Sequence, residues 1–438
     1  MSHYSLRAAA AAAVTVSMIA VAGCTGGATE PATATADPNA AVTLTWWTGQ
    51  SDAAEKLLET LAGEFTTLHP NVTIKTSSGA SSTEELLQKL SAGFASGTYP
   101  NISYAFGSWA SELESSGKMQ DITDKIADPS VGWDEFSQAA RATVRPTGAG
   151  TIGFPALVDN ISLLYNKTVF DNAGVAYPTD QWTWDDFRAA AKQLTSASNQ
   201  TYGYAYSVSG SEETTWQFWP HLWQHGGKIL TDDQKKSAFA SPEGEQALEF
   251  LRAMAQDDKS VYLDQTDTKF GQLFAANRIG MITSGPWQLS DLATAKTRYG
   301  VTILPGTNGD HQTVSGPDIW ALPDTGDANQ NYWSFEFLKW LTAPAQDLRW
   351  NVAYGNLPLR TSELDSPEFK AQVKALPGLD VMAGNSANAK QARPTVQGYN
   401  GLSEAIGSSI SQVLQGKGTP ADALTQAAAK ADEALAGE

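Results

Sequence analysis

Apolar and polar positions alternate over Val42-Thr-Leu-Thr-Trp-Trp47, which predicts a half-buried strand. Leu57, Leu58, Leu61, Phe65 and Leu68 then recur at helical spacing. Asp52 opens that helix, Glu55 three residues on completes a capping box, and Pro70 and Asn71 stop it. Val72 and Ile74 begin a second strand. Ser82 and Glu85 cap a second helix, whose Leu86, Leu87, Leu90 and Phe94 face inward. Gly97 and Pro100 end it and Ile102 begins a third strand. This strand–helix–strand–helix–strand order predicts an α/β lobe with helices flanking a sheet.

The pattern then restarts. Ile161–Tyr165, Ile279–Ile282, Val301–Leu304 and Ile319–Leu322 read as strands. Thr183 and Asp186 form another capping box, and Ser241-Pro242-Glu243 starts a helix carrying Leu248, Leu251 and Met254. Helices are expected over Tyr332–Leu341, Leu402–Leu414 and Pro420–Leu435. A chain of 438 residues exceeds one ordinary core, so two lobes are expected. The expected division is 42–153 for the first part of the N-lobe and 154–286 for the first part of the C-lobe. Residues 287–343 return to the N-lobe and 344–438 end the C-lobe. Phe154–Asp159 and Ser284–Trp287 are the expected crossovers, with Gly and Pro available to absorb hinge rotation.

Ahead of this body lies an apolar, alanine-rich run, Ala8–Ala22, ending in Val21-Ala22-Gly23-Cys24. It is shorter than the ~20 residues of a spanning helix. It reads as a lipoprotein signal peptide, residues 1–23, whose removal leaves Cys24 as an acylated N-terminus. Each buried lipid CH₂ contributes about 0.8 kcal/mol, so two or more acyl chains hold firmly. Residues 24–41 carry the lipid and a Thr/Ala/Pro-rich tether without bulky apolar side chains. Cys24 is the one cysteine, so no internal disulfide is possible. The expected location is the outer face of the cell membrane. With 47 acidic and 29 basic residues the formal charge is −18, which argues against nucleic acid and against adhesion to anionic lipid.

Catalytic and metal motifs are weak. Gly148-Ala-Gly-Thr-Ile-Gly153 has the G-x-G-x-x-G spacing, but Phe154-Pro155 blocks the helix that a dinucleotide site requires. His221 and His225 are four apart without the Glu of H-E-x-x-H, so packing and capping explain them. Asp185-Asp186 lies in a helix cap and Asp232-Asp233 in a turn, although widely separated carboxylate pairs of a glycosidase leave no local signature. No metal or cofactor is expected. The 14 tryptophans are the chemical signal. An indole covers the C–H face of a sugar ring, and Asp, Asn, Gln or Arg bonds its hydroxyl rim. Trp333 and Trp340 lie on a helical stripe and belong to a core, and Trp182 and Trp184 staple a helix start. Trp216 and Trp287, beside a helix N-terminus and an expected crossover, are the ligand candidates.

Several segments, in shared order and spacing, resemble ABC-transporter extracellular solute-binding proteins of the sugar-binding group that includes maltose-binding protein. They include Gly97-Thr-Tyr-Pro-Asn-Ile102, Gly117-Lys-Met-Gln-Asp-Ile-Thr123, Leu164-Tyr-Asn-Lys167, Thr183-Trp-Asp-Asp186, Gly285-Pro-Trp287 and Phe337-Leu-Lys-Trp-Leu341. The resemblance covers nearly all of Val42–Leu435 and implies the two-lobed periplasmic-binding-protein fold. It also implies a hinge, an interlobe ligand cleft, closure on binding and delivery to the transmembrane subunits of an ABC permease. Asp159 falls on the family's cleft carboxylate, and Trp216 and Trp287 on its stacking aromatics. Gln50 and Ser51 fall on the loop after the first strand, and Ser108 and Trp109 on an acid–base pair of the maltose binder. Those charged groups are missing here, so a maltose preference does not transfer. Asp318 is a replacement carboxylate, and Arg360 and Arg393 are further candidates.

The chain therefore reads as a non-catalytic, monomeric receptor for a di- or oligosaccharide, clamped between indole plates. Two alternatives stay open: a binder of a glycerophospho-compound or polyol on the same fold, and a secreted glycosidase.

Overall fold

The computed structural model describes residues 35–437, apart from 51, 81–82 and 353–354. Cys24, Ser51 and Ser82 fall outside the described residues, as does the tether up to residue 34. Among the described residues ten strands form two sheets. The first sheet takes β1 (Val42–Trp47), β2 (Val72–Ser77), β3 (Ile102–Phe106), β4 (Gly153–Leu157) and, from far along the chain, Asp318–Ala321. The second takes β5 (Ser162–Asn166), β6 (Tyr202–Ser207), β7 (Val261–Asp264), β8 (Ile279–Ser284) and β9 (Tyr299–Thr302). With Asp318–Ala321 as β10, the orders are β2-β1-β3-β10-β4 and β7-β6-β8-β5-β9.

The sheets share one plan. β1 runs parallel to β2 and β3, as β6 runs parallel to β7 and β8. The next strand is antiparallel in each case: β10 pairs with β3 and β4, and β5 pairs with β8 and β9. That fourth strand enters each sheet directly after the chain has left the other. The crossovers are therefore residues 158–161, from β4 to β5, and 303–317, from β9 to β10.

Sheet pairing moves three expected boundaries. Gly153–Leu157 belongs to the first sheet, where Pro155 is tolerated because β4 is an edge strand. Ser284–Trp287 is not a crossover, because β8 before it and β9 after it lie in the same sheet. β9, expected in the returning first lobe, pairs with β5. The helix Pro344–Trp350, expected with the second lobe, packs on the first-lobe helices Asp52–Leu68 and Ala328–Leu341.

Local chemistry sets the elements. In β1 the alternation buries Val42, Leu44 and Trp46 and exposes the threonines between them. Trp46 is fully buried, with edge-on contacts at 5.1 Å to both Trp320 and Phe337. It is core, as are Trp219 and Trp333. β6 (Tyr-Gly-Tyr-Ala-Tyr-Ser) is buried on both faces and so shows no alternation. A Cβ at Gly203 would lie 2.0 Å from the Ala191 carbonyl oxygen, so only glycine lets the helix Trp184–Leu194 approach this strand. That helix begins with the expected capping box between Thr183 and Asp186. Ser241 caps Pro242–Arg252 and Thr419 caps Pro420–Ala436.

The crossing segments lie side by side. The Leu357 N–H donates to Val158 O at 3.0 Å, and the Ser315 hydroxyl donates to Asp159 O at 2.6 Å. The Thr313 hydroxyl donates to Ile161 O at 2.6 Å, and Ser315 bridges Ala392. No helix among the described residues is long and apolar enough to cross a membrane.

Candidate functional site

A cleft of 580 Å³ opens beside these crossing segments, bordered by residues from both sheets. From the first sheet's side come Gln50, Tyr104, Phe106 and Asp318, with Trp350. From the second come Glu212, Glu213, Trp216, Asp267 and Trp287. Asp159, Gly316, Asn356 and Arg393 come from the crossing and connecting segments.

The helix Glu212–Gln224 positions three of these groups. Ser211 caps it by accepting from the Glu213 N–H at 3.1 Å. Glu212 and Glu213 occupy the first turn, where the helix dipole favours negative charge. Trp216 lies one turn on, and Pro220 inside the helix removes the amide that would bond the Trp216 carbonyl. Trp287 opens the helix Trp287–Thr294 after Gly285-Pro286. Its six-membered ring folds back over Gly285, where a Cβ would approach within 2.0 Å. The two indoles stack with centroids 5.6 Å apart and planes 24° from parallel.

This corrects the expectation of opposed indole plates. Both tryptophans stand on the second sheet's side, and 5.6 Å leaves no room for a sugar ring, which needs about 3.5–4.0 Å on each face. The pair makes one continuous aromatic wall.

The carboxylates follow from the ladder between β10 and β4. Asp318 pairs with Leu157, and the register shifts between Asp318 and Ile319, a bulge of the kind that re-aims side chains. Asp159 lies two residues beyond Leu157. Its Oδ1 accepts from the Gly316 N–H at 2.9 Å, while Asp318 Oδ2 accepts from the Tyr104 hydroxyl at 2.5 Å. Burial, then the charge of Asp318, pushes the Asp159 carboxyl well above its usual range. Burial pushes Asp318 up to about 6, against the Tyr104 hydrogen bond and the Arg393 charge. Burial also pushes Glu213 up to about 7, although Gln217 donates to it at 2.6 Å.

Arg393 Nη1 donates to Glu212 Oε1 at 2.7 Å, and its guanidinium lies 5.6 Å from the Trp216 ring centroid. Tyr399 and Ser403 hydroxyls also donate to Glu212. A Cβ at Gly316 would lie 2.9 Å from Arg393 Nη2, 3.0 Å from the Trp216 ring and 3.2 Å from Asp159 Oδ1. Gly316 is thus the point where three cleft groups converge.

Of the residues expected at the site, Gln50, Asp159, Trp216, Trp287 and Asp318 border the cleft. Ser108 and Trp109 do not; both are buried in the turn after β3, with Trp109 against Phe106 at 4.9 Å. Arg360 is structural: it donates to the carbonyls of Thr342, Gly132 and Val131 and covers the Phe136 ring. Glu212, Glu213, Asp267, Tyr104 and Trp350 were not foreseen. The one local hint was Ser211-Glu-Glu ahead of Trp216, the pattern of a capped first turn. His221 is packed on Trp184 at 4.1 Å, and burial lowers its pKa to about 3. Among the described residues no group of His, Cys, Asp and Glu could hold a metal ion.

Two α/β layers joined by crossing segments, with a polar and aromatic cleft beside them, have the architecture of a solute receptor. A model of the bacterial extracellular solute-binding proteins matches residues 60–377, and the chain belongs to that family. A Brucella abortus binding protein is 23% identical over 65% of this chain and 68% of its own length. The cyclic alpha-maltosyl-1,6-maltose binding protein of Arthrobacter globiformis has a TM-score of 0.78 at 25% identity, covering 91% of this chain and 100% of that one. UgpB of Mycobacterium tuberculosis, in complex with glycerophosphocholine, has a TM-score of 0.79 at 17% identity, covering 90% and 98%. The chain is a solute-binding protein of an ABC importer and not an enzyme.

Proposed function

We propose that this receptor captures a di- or oligosaccharide in the cleft, closes about residues 158–161 and 303–317, and hands the ligand to its permease. The stacked Trp216–Trp287 wall beside Asp159 and Asp318 carries this reading. The wall suits the apolar face of a pyranose, and the carboxylates suit its hydroxyls. Closure is driven by contacts that the ligand makes only with the closed form. Cys24 is the acylated N-terminus, and the stretch after it tethers the body to the outer face of the membrane. The tether expected to reach residue 41 stops short of residues 37–40, whose backbone is bonded to Asn329 and Asn71 of the body.

A polyol offers hydroxyls but no ring face for the indoles. A glycerophospho-compound brings an anion to a cleft with five carboxylates and one guanidinium. Both are therefore less well matched than a saccharide, although the fold is shared with a glycerophosphocholine complex. Calorimetry with maltotriose, cellobiose, chitobiose, ribitol and glycerophosphocholine separates them. Heat from a saccharide is expected; heat only from ribitol or glycerophosphocholine overturns the reading.

A further inference from the structure

Charge in this cleft is one-sided. Asp159, Asp318, Glu212, Glu213 and Asp267 border it, and among its described lining residues Arg393 is the sole cation. That guanidinium is already committed through its ion pair with Glu212 at 2.7 Å. The other four carboxylates receive neutral donors. Asp318 has the Tyr104 hydroxyl and the Gly107 N–H, and Asp159 has the Gly316 N–H. Glu213 has Gln217, and the hydroxyls of Ser207, Ser209 and Ser211 donate to Asp267. Such donors fill lone pairs without cancelling charge, and Asp159 feels the charge of Asp318 more than that of Arg393, so the two carboxyls resist ionising together.

Two further observations concern the ligand. The faces of the Trp216–Trp287 wall are negative and attract cations. Trp216 Nε1, in a residue only 7% exposed, has no partner within the protein.

Taking the saccharide reading as its premise, we propose that the cleft selects a saccharide bearing a protonated amine. The ammonium sits against Asp159 and Asp318, and the ring lies on the indole wall. A neutral sugar satisfies the same lone pairs but brings no positive charge that would let both carboxyls ionise, and a phosphorylated sugar adds negative charge.

The test uses saccharides that differ at the amine, and the carboxylate variants and salt dependence separate its charge from the bulk of the acetyl group. Calorimetry near neutral pH compares the β-1,4-linked glucosamine dimer with chitobiose, its N-acetylated form, and glucosamine with N-acetylglucosamine. The amines are expected to bind at least about tenfold tighter, with the gap narrowing as salt rises. The gap should collapse in Asp318→Asn and in Asp159→Asn, with thermal melting checking that each variant is folded. Glu213→Gln is a further variant should either fail to fold, and it should narrow the gap. If the N-acetylated partners bind equally or better, the selectivity is overturned while the saccharide reading stands. If the gap survives in all three variants, the assignment of these carboxylates is overturned. If no saccharide gives heat, both readings fall together.

Discussion

Trp216 and Trp287 stack on each other at 5.6 Å, from two helices on the same side of the cleft. A ligand in the cleft would meet one broad aromatic surface, and the opposing side sets Tyr104, Phe106, Leu157 and Trp350 among its polar groups.

Trp287→Ala should weaken saccharide binding by at least ~1 kcal/mol, a typical stacking contribution. Trp287 keeps partial exposure, so the fold should tolerate the change. Calorimetry with the tightest saccharide of the panel reads the effect, and unchanged affinity removes Trp287 from the site. Trp216→Ala is less clean, because that ring is buried and its loss also costs about 3–5 kcal/mol of stability.

Gly316→Ala should lower affinity more than stability. The added methyl would lie within about van der Waals contact of Arg393, Trp216 and Asp159 at once, at 2.9, 3.0 and 3.2 Å. Those groups must shift by a few tenths of an ångström, enough to misplace ligand contacts. Equal affinity, measured beside a thermal melt, would show that the convergence at Gly316 has no bearing on binding.

A second carboxyl pair lies away from the cleft. Asp347 and Glu363 are buried together, and Glu363 has neither oxygen bonded by another donor. Burial, then the Asp347 charge, raises the Glu363 pKa to about 11 from its ordinary 4.5, and burial raises Asp347 as well. The folded state therefore holds a proton that the unfolded chain releases. This contribution is fully present below about pH 4.5 and declines as pH rises toward the folded value. Glu363→Gln keeps a donor for Asp347 without that proton. Its melting temperature should exceed that of the parent near neutral pH, with the difference shrinking on acidification. Parallel melting curves across pH would refute the shared proton.

Cys24→Ser should release the protein from membranes. Fractionation of cells expressing full-length chains reads this directly, and continued membrane retention would point to an uncleaved apolar anchor.

Legibility differed between elements for physical reasons. β1 was plain because one face is wetter than the other, and Thr183–Asp186 because a cap is a local event. β4 and β6 were hidden: one carries Gly and Pro at a sheet edge, and the other is buried on both faces. Asp159, Asp318, Trp216 and Trp287 border the cleft as expected from the sequence, the tryptophans on chemistry and resemblance together and Asp159 on resemblance alone. Ser108 and Trp109 were carried over by position alone. The turn that holds them is drawn inward where the Gly107 N–H meets Asp318 Oδ1 at 3.4 Å, and Pro317 O would lie 2.2 Å from a Cβ at residue 107. Glu212 and Arg393 are 181 positions apart, and no local pattern announces a pair of that span.

Because β10 joins the first sheet only after the second is complete, and the helices Tyr399–Leu414 and Pro420–Ala436 return to pack on Glu212–Gln224 and Pro242–Arg252, neither half is a contiguous stretch of sequence. A gene fragment ending between β9 and β10 would encode the second sheet whole but leave β4 stranded without the neighbour that links it to β3. Chimeras that exchange ligand specificity between such receptors must therefore be spliced at both crossings together.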